Sequence, residues 1–229
     1  FGGMTASAAD FKAGGLVFNV DATAKTATVI GVRTGYITAT QKSVEIPATV
    51  TDGDGVVCKV TGFATQWNSS AYAATGYETT ATPGCESIII NIDNFGSVPT
   101  AAQLSFAKSI TLKGTSTLAT DYTVPDYTGT VTNLETLDLD ELAAKSGQKV
   151  VLTAQTAGAK LKTVTLPGID LPANAFKGQT ALESVSGAKK IGANAFNGAS
   201  KLATFDLSAV EEIGASAFVG TKITNATLA

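Results

Sequence analysis

Leu171-Pro172-Ala173-Asn174-Ala175-Phe176, Ile191-Gly192-Ala193-Asn194-Ala195-Phe196 and Ile213-Gly214-Ala215-Ser216-Ala217-Phe218 are three copies of one element, each with an aliphatic residue and a Phe five positions apart. Self-similarity of this kind is the signature of a repeat architecture. Weaker copies lie upstream at Val98-Pro99 with Ala102 and at Val124-Pro125 with Thr128, and Val150 marks the matching place in the repeat that follows.

Each copy is coupled to a second signature: an apolar or small residue at an opening slot, then apolar residues three and five positions later. It reads Cys85, Ile88, Ile90; Ala107, Ile110, Leu112; Leu134, Leu137, Leu139; Leu161, Val164, Leu166; Leu182, Val185 with Gly187; Leu202, Phe205, Leu207; and Ile223, Ala226, Leu228. Successive copies start 20 to 27 residues apart, while the distance from an anchor to the next opening slot stays at 9 to 11. That constancy predicts seven registered repeats, one strand each. Stacked at the spacing of adjacent strands, about 4.8 Å, they place like residues above like residues. Phe176, Phe196 and Phe218 are then expected to form an internal stack. Regularity of spacing fails between about 107 and 160.

Residues 1–60 alternate with period two instead. Leu16 to Val20, Thr26 to Val32, Val44 to Ile46 and Val56 to Val60 read as strands, broken by Gly14-Gly15, Gly31, Pro47 and Asp52-Gly53-Asp54-Gly55. This predicts a small β cap over residues 1–60, covering the apolar face and strand edge that the first repeat otherwise exposes, and a repeat array over 61–229. The Asp52–Gly55 run has the acids of a calcium loop without its further oxygen ligands or distal Glu. It reads as a tight hairpin turn.

Composition narrows the function. With 44% hydrophobic and 15% charged residues the 229-residue chain is a folded, water-soluble one, and no apolar run reaches the roughly 18 residues of a spanning helix. A formal charge of −3, with 15 lysines but Arg33 as the sole arginine, is not the basic stripe of a nucleic-acid binder. The chain holds no histidine, so it has neither the commonest general base nor the commonest metal ligand. Ser/His/Asp and Cys/His nucleophile systems are excluded. Cys58 and Cys85 permit one disulfide without requiring it, and both positions suit small buried side chains. Asp138, Asp140-Glu141 and Glu211-Glu212 are exposed acid clusters rather than two carboxyls held across a cleft. We expect no catalytic, cofactor-binding or metal-ligating residue, and no enzyme activity.

The pattern Leu-x-x-Val-x-Leu-Pro over Leu161–Pro167, followed by Ile-Gly-x-x-Ala-Phe over Ile191–Phe196, resembles the BspA-like leucine-rich repeats of bacterial surface proteins. Val44 to Val50, leading to Cys58-Lys59-Val60-Thr61, also looks like the β unit that precedes such arrays. The likeness covers about residues 85–229, although Gln179, Ala199 and Thr221 stand where the family carries a cysteine after Ala-Phe. It implies a leucine-rich-repeat-type right-handed coil with little regular helix, a β-rich solenoid preceded by a small β cap. It further implies an extracellular or cell-surface bacterial protein, held by a lipid anchor upstream of residue 1, that binds host or neighbouring-cell proteins.

Candidate contact residues follow from the strand pattern. Positions between buried slots point outward, giving Ser109 and Thr111, Thr136 and Asp138, Thr163 and Thr165, Ser184 and Ser186, Thr204 and Asp206, then Asn225 and Thr227. This hydroxyl strip fits a protein or a glycan partner. Thr also suits exposed strand positions with no ligand at all. Longer excursions over 113–123 and 140–149 are expected to build a lateral ridge, with Tyr122 and Tyr127 in or near the first. The stretch 64–84 carries Trp67, Tyr72 and Tyr77 among small polar residues, as adaptable recognition loops do; the helical spacing of Phe63, Trp67, Ala71 and Ala74 favours a short helix packed against the stack, with Trp67 as an anchor. An uncovered last strand predicts self-association through residues 223–228. A spacer or scaffold role is the structural alternative.

Overall fold

The computed structural model describes residues 9–33, 35–64, 67, 77–78, 85–158 and 160–224. Among them there are strands and turns but no helix. The strands are β1 (Ala9–Ala13), β2 (Leu16–Asp21), β3 (Thr26–Arg33), β4 (Ser43–Ile46), β5 (Thr49–Thr51), β6 (Val57–Phe63), β7 (Tyr77–Glu78), β8 (Ser87–Asn91) and β9 (Ser109–Thr115). They continue with β10 (Tyr122–Val124), β11 (Thr136–Asp138), β12 (Leu142–Ala143), β13 (Val150–Leu152), β14 (Thr163–Leu171), β15 (Ser184–Ile191), β16 (Thr204–Phe205) and β17 (Glu212–Ile213).

The four strands read from alternation in the first 60 residues are all present. β1, β2 and β3 form an antiparallel meander, β6 joins β3 in parallel and β5 joins β6 antiparallel. The Asp52–Gly55 run is the hairpin turn between β5 and β6. Asp52 Oδ1 accepts the amides of Asp54 at 3.0 Å and Val56 at 2.8 Å, the side-chain-to-backbone bonding that favours Asp in turns.

One strand from the stretch read as a cap belongs to the second sheet. β4 pairs in parallel with β8, setting Val44 beside Ile88 and Ile46 beside Ile90, so it is the first strand of the repeat sheet. From there the order is β4-β8-β9-β11-β14-β15-β16, every pair parallel. Ile88, Ile110, Leu137, Val164, Val185 and Phe205 lie side by side in that register, as the slot spacing predicts. The opening slots Cys85, Ala107, Leu134, Leu161, Leu182 and Leu202 are all buried beneath them. Of the seventh repeat, Ile223 and Thr224 are described; Ala226, Leu228 and most of the 223–228 segment lie outside the described residues.

The anchors form a second row. Leu171, Ile191 and Ile213 are register partners. The following loops stack as well, the amides of Phe176 and Phe196 donating to the carbonyls of Ala195 at 2.7 Å and Ala217 at 2.8 Å. Their rings form the expected stack: Phe176 and Phe196 are 5.7 Å apart at 6°, Phe196 and Phe218 5.4 Å apart at 11°. Close approach of neighbouring backbones requires Gly214, where a Cβ would sit 2.5 Å from the Ala193 nitrogen. Gly187 occupies a leucine slot for a similar reason, since its Cβ would fall 1.8 Å from the Leu166 carbonyl oxygen.

The middle repeats depart from the expected register. The partner of Val124 is Leu152, whereas Val150 pairs with Tyr122, so Leu152 and not Val150 is the anchor of that repeat. Burial agrees: Leu152 is in the core and Val150 only half-buried. The excursions read as a lateral ridge over 113–123 and 140–149 contain regular pairing too, β12 lying against Gly114 and Thr115 of β9.

A continuous apolar core runs from the N-terminal sheet through the repeats. Trp67 helps to join them, its ring 4.3 Å from Phe63 and 6.1 Å from Phe106, with its Nε1 donating to the Gln103 carbonyl at 3.1 Å. Ala71 and Ala74 of the expected short helix lie outside the described residues.

Candidate interaction surface

The period-two geometry of the repeat sheet places its intervening residues in two outward rows. One row runs Ser43, Ser87, Ser109, Thr136, Thr163, Ser184, Thr204 in consecutive register. The second runs Glu45, Ile89, Thr111, Asp138, Thr165, Ser186, with Asp206 just past the end of β16. The candidate residues Thr136, Asp138, Thr163, Thr165, Ser184 and Ser186 are thus brought onto one face, each half-buried, and Thr204 and Asp206 are exposed at its end. Among the described residues, the hydroxyls of Thr136, Thr163, Thr165, Ser184 and Ser186 make no side-chain hydrogen bond within the protein.

Glu45 on this face pairs with Lys113 at 2.7 Å, and the other two acids are oriented by their own turns. Asp138 Oδ1 accepts the Asp140 amide at 3.2 Å and Asp206 Oδ1 the Ser208 amide at 2.9 Å. Hydrogen bonds from the Ser208 side chain and backbone hold Asp206 below the usual carboxylate range, so it stays anionic.

One position before the hydroxyl row lies a feature the slot pattern did not reveal. Lys42, Glu86, Lys108, Glu135, Lys162 and Glu183 alternate in sign from strand to strand. They are joined by amide-to-carbonyl bonds, from Glu86 to Lys42 (2.8 Å), Lys108 to Glu86 (2.7 Å), Glu135 to Lys108 (2.7 Å), Lys162 to Glu135 (2.8 Å) and Glu183 to Lys162 (2.8 Å). Glu86 receives Lys42 and Lys108 at 3.0 Å each, and Glu135 receives Lys162 at 2.7 Å. Lysine hydrogen bonds depress both carboxyls, while Glu135 raises Lys162. Reading the residue before each outward Ser or Thr would have exposed this ladder in the sequence.

The aromatic candidates have other roles. Trp67, Tyr122 and Tyr127 are 1%, 1% and 0% exposed, so none is available to a partner; each is an interior packing residue. Tyr127 donates its hydroxyl to the Pro99 carbonyl at 2.9 Å, and burial pushes both tyrosine phenols above their ordinary pKa. Tyr72 lies outside the described residues, and Tyr77 is described only as a strand residue paired with Arg33.

Cys58 and Cys85 are free, buried thiols. Their Sγ atoms lie 3.8 Å from the carbonyl oxygens of Val56 and Ser87, and burial pushes Cys85 up to about 11. Such thiols are poor nucleophiles. Glu211 and Glu212 pair with Lys189 at 3.4 Å and Lys190 at 3.3 Å. No helix among the described residues is long and apolar enough to cross a membrane.

No protein-family model and no curated protein matches this chain. Among solved structures, it is similar to a leucine-rich cell surface protein from Faecalibacterium prausnitzii A2-165, at 18% identity and a TM-score of 0.31 over 94% of this chain and 47% of that one. A leucine-rich-repeat protein from Bacteroides ovatus is 15% identical with a TM-score of 0.28, over 93% of this chain and 80% of the other. The chain spans about half the length of the Faecalibacterium protein.

Proposed function

We propose that this chain is a non-enzymatic binding module displayed at a bacterial cell surface, a leucine-rich-repeat-type coil of the BspA-like kind that engages proteins of host or neighbouring cells. The observation that carries the reading is the outward face of the parallel sheet, where hydroxyls stand in register across consecutive strands without partners among the described residues. A regular set of unsatisfied donors and acceptors over a rigid scaffold suits a broad polar contact, in which complementarity rather than one pocket sets specificity. The acids support a non-catalytic role. Glu86, Asp126, Glu135 and Asp206 are each held below their ordinary pKa by hydrogen bonds, the reverse of a carboxyl tuned to hold a proton near neutrality.

Binding to a panel of extracellular-matrix proteins and to a glycan array tests the reading, with Thr163→Lys/Thr165→Lys as the blocking variant. Saturable binding to a matrix protein, lost in that variant, is expected. Binding confined to a defined oligosaccharide replaces the protein partner with a glycan, and binding to neither rejects the module.

A further inference from the structure

Each stacked loop ends on a glycine at the same place, Gly178, Gly198 and Gly220. Gly198 takes a left-handed φ of 82°, which explains the glycine. The residue before it is not dictated by the fold, since Lys177, Asn197 and Val219 fill that place in turn. Asn197-Gly198 is the one Asn-Gly pair in the chain. With no Cβ on the glycine to crowd the approach, its backbone nitrogen can reach the preceding carboxamide more readily than that of any other residue.

The stack holds this pair in an unreactive arrangement. Gly198 donates its amide to the Val219 carbonyl at 2.9 Å, the Asn197 carbonyl accepts the Gly178 amide at 2.8 Å, and Asn197 Nδ2 donates to Asn194 Oδ1 at 3.2 Å. The bond that ties up the Gly198 nitrogen comes from the loop of the following repeat. That loop is held by two more such bonds, from Asn194 to Ala215 (2.9 Å) and Phe196 to Ala217 (2.8 Å), and by the contact between the Phe196 and Phe218 rings at 5.4 Å. It is less buried than the two loops beneath it: Phe218 is half-buried and Val219 56% exposed, whereas Phe176 and Phe196 are both in the core. Local opening is easiest where buried apolar contacts are few. Undocking of residues 215–220 therefore frees the Gly198 amide before the rest of the array opens.

We infer that Asn197 is a deamidation site gated by the docking of the 215–220 loop. Once freed, the Gly198 nitrogen gives up its proton to solvent and bonds to Asn197 Cγ, while the Cγ–Nδ2 bond breaks and ammonia leaves, closing a succinimide. Water then opens the ring at either carbonyl, and residue 197 becomes aspartate or isoaspartate. Isoaspartate puts one extra main-chain carbon between the Phe196 and Gly198 amides. These no longer match the Ala217 and Val219 carbonyls, so the loop does not redock and a transient opening becomes permanent. The site is separate from the hydroxyl face.

Peptide mapping by mass spectrometry of the whole chain, aged near neutral pH both folded and unfolded in urea, tests the inference. Conversion at Asn197 is expected to be slow in the folded chain and fast in urea, with Asn174 and Asn194, each followed by Ala, unchanged in the folded chain. A slow modification follows the population of the open form, so Phe218→Ala should speed conversion roughly tenfold, and Ser216→Asn, which eases the left-handed turn of the docked loop, should slow it about twofold. Asn197→Lys, taking the residue of the preceding loop, should keep the Phe196 amide protected from hydrogen exchange through the same ageing, while the isoaspartate form loses that protection. Equal conversion in the folded and urea-unfolded chain overturns the inference, as does a rate that neither Phe218→Ala nor Ser216→Asn alters.

Discussion

The rings of Phe176 and Phe196 lie 5.7 Å apart and 6° from parallel, each belonging to a different repeat and each fully buried. Phe196 also meets Phe205 at 5.2 Å and Phe218 at 5.4 Å, so it sits at the centre of an aromatic column. Replacing it should leave a cavity shared by three repeats. Phe196→Ala is expected to lower unfolding free energy by about 3–5 kcal/mol in urea titration, and Phe218→Ala, half-exposed at the end of the column, by clearly less.

The loop before each stacked Phe turns through a left-handed residue, Asn174 at φ 61°, Asn194 at 57° and Ser216 at 58°. Asn tolerates that region better than Ser. Ser216→Asn should therefore raise stability by roughly 0.5 kcal/mol, read as a higher thermal midpoint, while Asn194→Val should lower it.

The alternating row from Lys42 to Glu183 predicts a dependence on charge order rather than on charge number. Glu86→Lys sets three like charges on adjacent strands, where opposed like charges destabilise. It should lower the thermal midpoint at low salt, and the loss should shrink at about 1 M sodium chloride, where the Debye length is about 3 Å. Adding Lys42→Glu to that variant restores an opposite charge on one side of position 86 and should recover part of the midpoint.

Asp126 ties two repeats together. It accepts the Thr156 amide at 3.1 Å, the Thr128 hydroxyl at 2.9 Å, the Gly129 amide at 3.1 Å and the Thr156 hydroxyl. Partial burial opposes its charge, but these hydrogen bonds outweigh it and hold the carboxyl below 3.8. The unfolded chain then takes up the proton first, so the stabilisation is complete above about pH 4 and is lost as pH falls through the folded pKa. Asp126→Asn should cost about 1–2 kcal/mol at pH 7 and flatten the acid limb of a stability profile.

The slots and anchors were legible because a repeat states its own register: Ile88 through Phe205, and Phe176 through Phe218, fall where spacing puts them. β4 escaped because Val44 and Ile46 also fit simple alternation, and nothing in period two distinguishes an edge of one sheet from the start of another. Val150 and Leu152 are both aliphatic, so the sequence alone does not distinguish the anchor, and only hydrogen-bonded register separates them. The burial of Tyr122 and Tyr127 is not legible in the sequence for a chemical reason. A phenol serves a core or a contact surface equally well, and the acceptor that holds Tyr127 inside, the Pro99 carbonyl, lies 28 residues away in the sequence. The outward Ser and Thr residues could be placed on one face from sequence, but their continuation through Ser87 to Ser43 depends on the β4–β8 pairing.

The binding face is tested most directly by a hydrogen-exchange footprint of the chain with a matrix-protein partner identified in the binding panel. Protection concentrated over 109–111, 136–138, 163–165 and 184–186 is the predicted result. Protection over the N-terminal sheet or the 113–123 and 140–149 excursions, with those four strands unchanged, would contradict the account.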